Sequence, residues 1–198
     1  LEPSMIGVSA VSSFSDAHEA VEIPYIAANL HRLMLPAQSL IWSTLHKEDC
    51  EDRTVYSLAA TFLGRICLSG DVDMLTPRQR EILHNAIEFY AKLNDVIING
   101  TTHIFGNRGR NTRYPSGTQA VVRSAENEIL AVCHAFDNPC GKIEIDIPSG
   151  FEICDEFYAE NISVSGEKLI INKMNRFTAA AVLLRRNFKG GYTNEKNK

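Results

Sequence analysis

The chain holds no run of about 18 apolar residues, so the sequence offers no transmembrane helix. Cysteine is sparse: Cys50, Cys67, Cys133, Cys140 and Cys154 make an odd number without any Cys-x-x-Cys pair. That pattern argues against a structural zinc site and a dense disulfide framework, and leads us to expect reduced thiols in a cytoplasmic protein. No phosphate-cradling glycine loop, metal-ligand spacing or Ser-His-Asp order stands out, so neither a metal nor a cofactor is expected. Positive charge is not in excess, with 20 Lys and Arg against 24 Asp and Glu, a net charge of -4. This balance argues against nucleic acid or an anionic membrane as partner. The chain opens Leu1-Glu2-Pro3-Ser4, with no initiator Met and no basic-then-apolar signal pattern. It is therefore expected to be a piece of a longer protein, cut at its N-terminal side, with any localisation signal lost. The sequons at Asn99 and Asn161 carry no weight without secretion.

What is present is an ordinary globular composition, 198 residues with 44% apolar and 22% charged side chains. The first half alternates apolar runs with helical patterns. Residues 6–11 read as a buried strand and residues 17–33 as a helix, with Val21, Tyr25, Ala28 and Leu33 on one side and Pro24 in its first turns. Leu40-Ile41-Trp42 reads as a strand, Asp52 to Gly64 as a helix and Ile66-Cys67-Leu68 as a strand. Thr76-Pro77 suits a helix N-cap and first turn, and Ile82, Leu83, Ala86, Ile87, Tyr90 and Leu93 follow at helical spacing to Asn99-Gly100. Such alternation is the grammar of a parallel α/β sheet or barrel.

After Gly100 the character changes. Residues 101–117 are polar and Arg-rich and read as a linker or long loop. Short apolar runs follow at 120–122, 129–132, 143–147, 162–164, 169–171 and 179–184. Turn residues separate them, as in a small antiparallel β-sandwich. Residues 189–198 form a polar tail. The expected class is α/β plus all-β: the C-terminal part of a (β/α)8 TIM barrel over residues 1–100, then a linker over 101–117 and a β-sandwich domain over 118–188.

The chemistry centres on Phe14-Ser15-Asp16-Ala17-His18-Glu19, directly after the first apolar run. A carboxylate at the C-terminal tip of a strand that feeds a helix is where barrel enzymes keep catalytic groups. The plain alternative is a capping box, with Asp16 as N-cap and Glu19 three residues on, which needs no chemistry.

The ordered set Ser15 to Pro24, Leu35-Pro36-Ala37-Gln38 and Gly64 to Val72 resembles the α-galactosidase (melibiase) clan, glycoside hydrolase families 27 and 36, with family 36-like members nearest. The segment Leu75 to Gln79, with Ile87 to Tyr90, resembles the clan's last barrel helix. Ala179 to Leu184 resembles a closing strand of its C-terminal domain. The resemblance implies that Asp16, after Ser15, ends the sixth barrel strand and is the general acid/base, followed by an acidic residue at Glu19, where Asp is more usual. It implies a retaining hydrolase that removes terminal α-linked galactose from oligosaccharides, with α-N-acetylgalactosaminidase and raffinose-type transglycosidase as same-clan alternatives. The clan's nucleophilic Asp lies on an earlier strand, so this chain alone is expected to be inactive. A non-catalytic carbohydrate-binding or assembly module is the rival reading.

The candidates for touching substrate are Ser15, His18, Glu19, Trp42 and Asp71. His18 suits a carboxylate or a sugar hydroxyl, and an exposed helix position equally. Trp42 suits a stacking plate or, more commonly, the core. Asp71, directly after a strand, suits a hydroxyl at the barrel mouth, whereas Asp73 is expected to help cap the final helix. Arg108, Arg110 and Arg113 read as a solvated loop, and His46 to Asp49 as an exposed turn. An oligosaccharide is the expected partner. With an open sheet edge and an exposed apolar face, the isolated chain is expected to be poorly soluble or a homo-oligomer.

Overall fold

In the computed structural model the residues described are 3–13, 19–107, 109 and 111–187. The first half is a parallel α/β unit. A short helix α1 (Pro3–Ile6) precedes β1 (Ser12–Ser13), then come α2 (Ile23–Leu30), β2 (Ser39–Leu45), α3 (Glu51–Thr61) and β3 (Arg65–Gly70). The strands pair in the order β1-β2-β3, both pairs parallel. Helices α4 (Pro77–Tyr90) and α5 (Asn94–Asn99) follow. What these residues form is a three-stranded parallel sheet, not a barrel.

Three local expectations are corrected here. The run 6–11 is not a strand. Val8 and Ser9 donate back to Met5 O in a turn, and the Ile6 and Ser9 carbonyls are taken by Gln38 Nε2 at 3.3 and 3.1 Å. Pairing begins only at Ser12. Among the described residues the helix expected over 17–33 is confined to Ile23–Leu30, with Pro24 in its first turn, and Leu33 is exposed. Glu19 lies in a bend ahead of this helix, and its expected capping partner Asp16 lies outside the described residues. A capping box is formed at α4: Gln79 N donates to Thr76 Oγ1 at 3.2 Å, and Thr76 N donates to Gln79 Oε1 at 2.9 Å. Asp73, expected to help cap this helix, sits in the turn before it while Thr76 does the capping.

The second half is a sandwich. Its larger sheet runs β4-β5-β6-β11-β8 through β4 (Thr101–Phe105), β5 (Thr118–Ser124), β6 (Glu128–Ala135), β11 (Ala179–Arg186) and β8 (Phe151–Phe157). The smaller sheet runs β7-β10-β9 through β7 (Ile143–Asp146), β10 (Lys168–Ile171) and β9 (Ile162–Ser165). The segment 101–117 is thus not a linker throughout, because its first five residues form an edge strand paired with β5. The polar tail expected over 189–198 lies outside the described residues, as do Arg108 and Arg110, while Arg113 is exposed.

The larger sheet is covered on both faces. Val121, Leu130, Val132, Ala181 and Leu183 join a core with α3, α4 and α5. Their alternate neighbours Ala120, Val122, Ala131, Val182 and Leu184 join a second core with Ile145, Leu169 and Ile171 of the smaller sheet. This double burial explains the unbroken apolar run in β11. Helix α3 lies between the larger sheet and the parallel sheet and is buried from Thr54 to Thr61. A helix enclosed on all sides needs no polar stripe. Phe62, just past its end, has its ring 5.0 Å from that of Phe89 and 5.2 Å from that of Phe157, tying α3 and α4 to β8.

Three buried polar side chains cross from the larger sheet to the helical layer, each donating to a backbone carbonyl. Gln119 Nε2 reaches Pro24 O at 3.0 Å, Arg123 reaches Leu63 O at 3.1 Å and His134 Nε2 reaches Tyr56 O at 3.2 Å. Arg123 thereby satisfies a carbonyl just past the C-terminal end of α3, where a cation is favoured. Gly100 makes room for it, since a Cβ there would lie 2.4 Å from Arg123 Cγ. Burial lowers the Arg123 guanidinium to about 10, still charged at neutral pH, and drives His134 down to about 3, so it stays neutral.

Candidate functional site

One face of the parallel sheet is covered by α3, and the other is left open by the described residues. Along β2 the side chains of Ile41, Ser43 and Leu45 are buried, whereas Trp42 and Thr44 are exposed. Parallel register places Trp42 beside Cys67, Thr44 beside Ser69, and Ser13 beside Leu40. The uncovered face therefore carries a continuous strip: Ser13, Trp42, Thr44, Cys67 and Ser69, with His46 and Asp71 just past the strand ends.

The strip is cross-linked by its own polar groups. Trp42 Nε1 donates to Ser13 Oγ at 2.8 Å, and the hydroxyls of Thr44 and Ser69 lie 3.3 Å apart. His46 Nδ1 lies 3.3 Å from Asp71 Oδ2, and both side chains stay part-exposed. Gly70 makes this pairing possible. It adopts φ +87, and a Cβ would stand 2.2 Å from Leu45 O. A residue with a side chain would meet both backbone strain and a clash at this bend. Through it Asp71 N donates to Leu45 O at 2.7 Å, and the carboxylate turns toward His46. Partial burial pushes the Cys67 thiol up.

The loop after β2 is fixed from below. Asp49 accepts from His46 N at 2.9 Å and forms an ion pair with Arg53, whose Nε lies 2.7 Å from Asp49 Oδ1. Gln79 Nε2 donates to both His46 O and Asp49 O at 2.9 Å. The four residues read as a plain exposed turn thus include one strip residue and one buried anchor.

Of the residues singled out from sequence, Trp42 and Asp71 fall on this strip. Trp42 is 37% exposed, which places it on the open face, not in the core. Glu19 is exposed in the bend before α2. Ser15, Asp16 and His18 lie outside the described residues. His46 was missed as a site residue. Its signal was its position directly after a parallel strand, the same signal that marked Asp71. The strip offers one aromatic plate, several hydroxyls and an imidazole–carboxylate pair, a set suited to binding a polyhydroxylated ligand. Among the described residues there is no group of three side chains able to hold a metal ion. No described helix is long and apolar enough to cross a membrane.

No protein-family model matches the chain, and no curated protein matches it in sequence. Solved structures do match in fold. A family 36 α-galactosidase from Geobacillus stearothermophilus, in complex with 1-deoxygalactonojirimycin, superposes at TM-score 0.66 and 12% identity over 87% of this chain and 25% of its own. The α-galactosidase of Lactobacillus brevis gives TM-score 0.65 and 10% identity over 89% of this chain and 26% of its own. An Anoxybacillus α-amylase gives TM-score 0.57 and 14% identity over 94% of this chain and 50% of its own. The chain spans about a quarter of the length of these α-galactosidases. At such identities the likeness is one of fold.

Proposed function

We propose that this chain is the C-terminal portion of an α-galactosidase-like retaining glycoside hydrolase. In this reading the parallel sheet is the last part of a (β/α)8 barrel and the strip faces the barrel interior. The supporting observation is the fold likeness to family 36 α-galactosidases over 87% of the chain at TM-score 0.66. The site is consistent with it, since the strip ends at the carboxyl edge of the strands, where barrel enzymes work. The outer edge of β3 has no partner strand among the described residues, and further strands of a barrel, or a second copy, would cover it.

A retaining enzyme needs two carboxyl groups about 5–5.5 Å apart across the scissile bond. We assign the general acid/base to Asp16, with Ser15, His18 and Glu19 beside it, and the nucleophile to a strand upstream of β1. Asp16 protonates the leaving oxygen and then takes the proton from the attacking water. Asp71 is held by His46 for a sugar hydroxyl, and Trp42 gives the ring a plate. On this reading the chain by itself does not turn over substrate.

The test is to express the protein with its upstream region and compare hydrolysis of a chromogenic α-galactoside with that of Asp16→Asn. The expected result is robust turnover in the parent and a loss of several orders of magnitude in the variant. Turnover that survives the change would move the acid elsewhere. The α-amylase likeness makes an α-glucoside the necessary second substrate. Hydrolysis of that substrate alone would keep a glycosidase and change the sugar. No hydrolysis of either would favour a carbohydrate-binding or assembly module.

A further inference from the structure

The pair at the end of the strip has a chemistry that its geometry fixes. His46 Nδ1 lies 3.3 Å from Asp71 Oδ2. A carboxylate has no proton to give, so the hydrogen between the two belongs to the imidazole, on Nδ1. The neutral ring then carries a lone pair at Nε2, and Asp71 keeps its second oxygen, Oδ1. Among the described residues neither Nε2 nor Oδ1 has a hydrogen-bond partner. The two side chains are 46% and 33% exposed, so neither is sealed off from a ligand.

Both residues are held through their backbone. His46 N donates to Asp49 Oδ2 at 2.9 Å, and Gln79 Nε2 donates to His46 O and to Asp49 O, each at 2.9 Å. Gln79 is 2% exposed, and its Oε1 accepts from Thr76 N. One buried amide thus ties the loop after β2 to the cap of α4. On the other side, Asp71 N is fixed on Leu45 O by the bend at Gly70. Side chains seated on a fixed backbone have less freedom left to lose when a ligand arrives.

The result is two acceptors on adjoining side chains, one neutral and one charged. Such a pair rewards a ligand that brings two donors on neighbouring atoms, as adjacent hydroxyls of a sugar ring do. Thr44 and Trp42 precede His46 along the open face of β2 and continue the surface as a hydroxyl and an aromatic plate. We propose that His46 is a specificity-determining residue: its Nε2 accepts from one ring hydroxyl of the sugar while Asp71 Oδ1 accepts from the next, so that the pair reads a vicinal diol. The inference rests on the strip being the sugar-binding face of a glycosidase.

The test uses the protein with its upstream region and a series of chromogenic α-galactosides, each lacking one ring hydroxyl, or the matching α-glucosides if those are what it hydrolyses. Each missing hydroxyl carries a penalty in kcat/KM. Comparing penalties between parent and variant cancels the intrinsic effect of the deletion and the contacts of other residues. His46→Phe should shrink the penalty for one hydroxyl by about fivefold. Asp71→Ala should shrink it for that hydroxyl, because the ring loses the partner that orients it, and for a neighbouring one by at least about tenfold, because that contact is charged. His84→Phe, at an exposed histidine of α4 paired with Glu88, should change neither. The ring proton is read separately in the ligand-free 198-residue chain, from the ring-nitrogen shifts of isotope-labelled histidine in mildly alkaline buffer, where imidazoles are neutral. The His46 signal, assigned by its absence in His46→Phe, should show the proton on Nδ1 and lose that signature in Asp71→Ala. The inference alone is overturned if His46→Phe leaves every penalty unchanged, if the two affected hydroxyls are not neighbours, or if the ring proton sits on Nε2. A protein that hydrolyses neither glycoside overturns the glycosidase reading and this inference together.

Discussion

The five-stranded sheet and the parallel sheet handle polar side chains in opposite ways. In the five-stranded sheet, polar groups facing the helices are enclosed, and Gln119, Arg123 and His134 each spend a donor on a named carbonyl. In the parallel sheet, Trp42, Thr44 and Ser69 stand on an open face and bond one another or Ser13. Enclosed polar groups must find partners or be lost as stability. Groups on an open face are free of that demand and remain available to a ligand. Burial, more than residue type, separates the histidine that fastens two layers, His134, from the one that orients a carboxylate, His46.

The largest test of this contrast is mechanical. If the sandwich and the α/β unit share one core, breaking their seam must unfold both together. Phe62 is fully buried at that seam between Phe89 and Phe157. Phe62→Ala should cost about 3–5 kcal/mol. Urea unfolding followed by Trp42 fluorescence and by far-ultraviolet circular dichroism should keep coincident transitions at a lower midpoint. If the two probes separate in the parent protein, the halves are independent units and the shared core counts for little.

How far these layers could be read from sequence follows the same division. The central strands β5, β6 and β11 were legible because both faces are buried and their runs are apolar. The two strands that were missed, β4 and β8, are the two edges of that sheet. Edge strands carry polar residues outward, here Thr101 and His103 in β4 and Glu152 and Glu156 in β8, which blurs the pattern. Helix α4 was legible down to its cap because Thr76, Pro77 and Gln79 act locally. The run 6–11 was misread because its carbonyls are satisfied by Gln38, some thirty residues away, which no local pattern reveals. At the strip, Asp71 and Trp42 were visible from their strand positions. The pairing of His46 with Asp71 was not, because it depends on the register of β2 against β3 and on the bend at Gly70.

A smaller effect is the response of the buried histidine to pH. The buried His134 takes a proton only near pH 3, whereas the unfolded residue takes one near 6.5. Below pH 6.5 the unfolded chain therefore binds the proton first, and stability present at neutral pH drains away as the pH falls toward 3. Between pH 7.5 and pH 5 the loss should be about 2 kcal/mol. His134→Gln should flatten that slope while lowering stability at neutral pH, because Tyr56 O loses a well-placed donor. Denaturant midpoints across the pH range would show this. An unchanged slope in the variant would mean that His134 is solvated in solution.

The smallest expected effect is the sharpest test of the open face. Among the described residues the Thr44 hydroxyl meets the Ser69 hydroxyl across the strand pair, in an exposed setting. Thr44→Val keeps the shape and the β-branch and removes that polar contact, so stability should move by no more than about 0.5 kcal/mol. The same change made on an enclosed sheet would strand a partner and cost several times as much. Measured at two protein concentrations, a large shift that grows with concentration would show the face covered by a second copy of the chain. A negligible shift at both would leave Trp42, Thr44 and Ser69 as side chains held on the surface for something other than the fold.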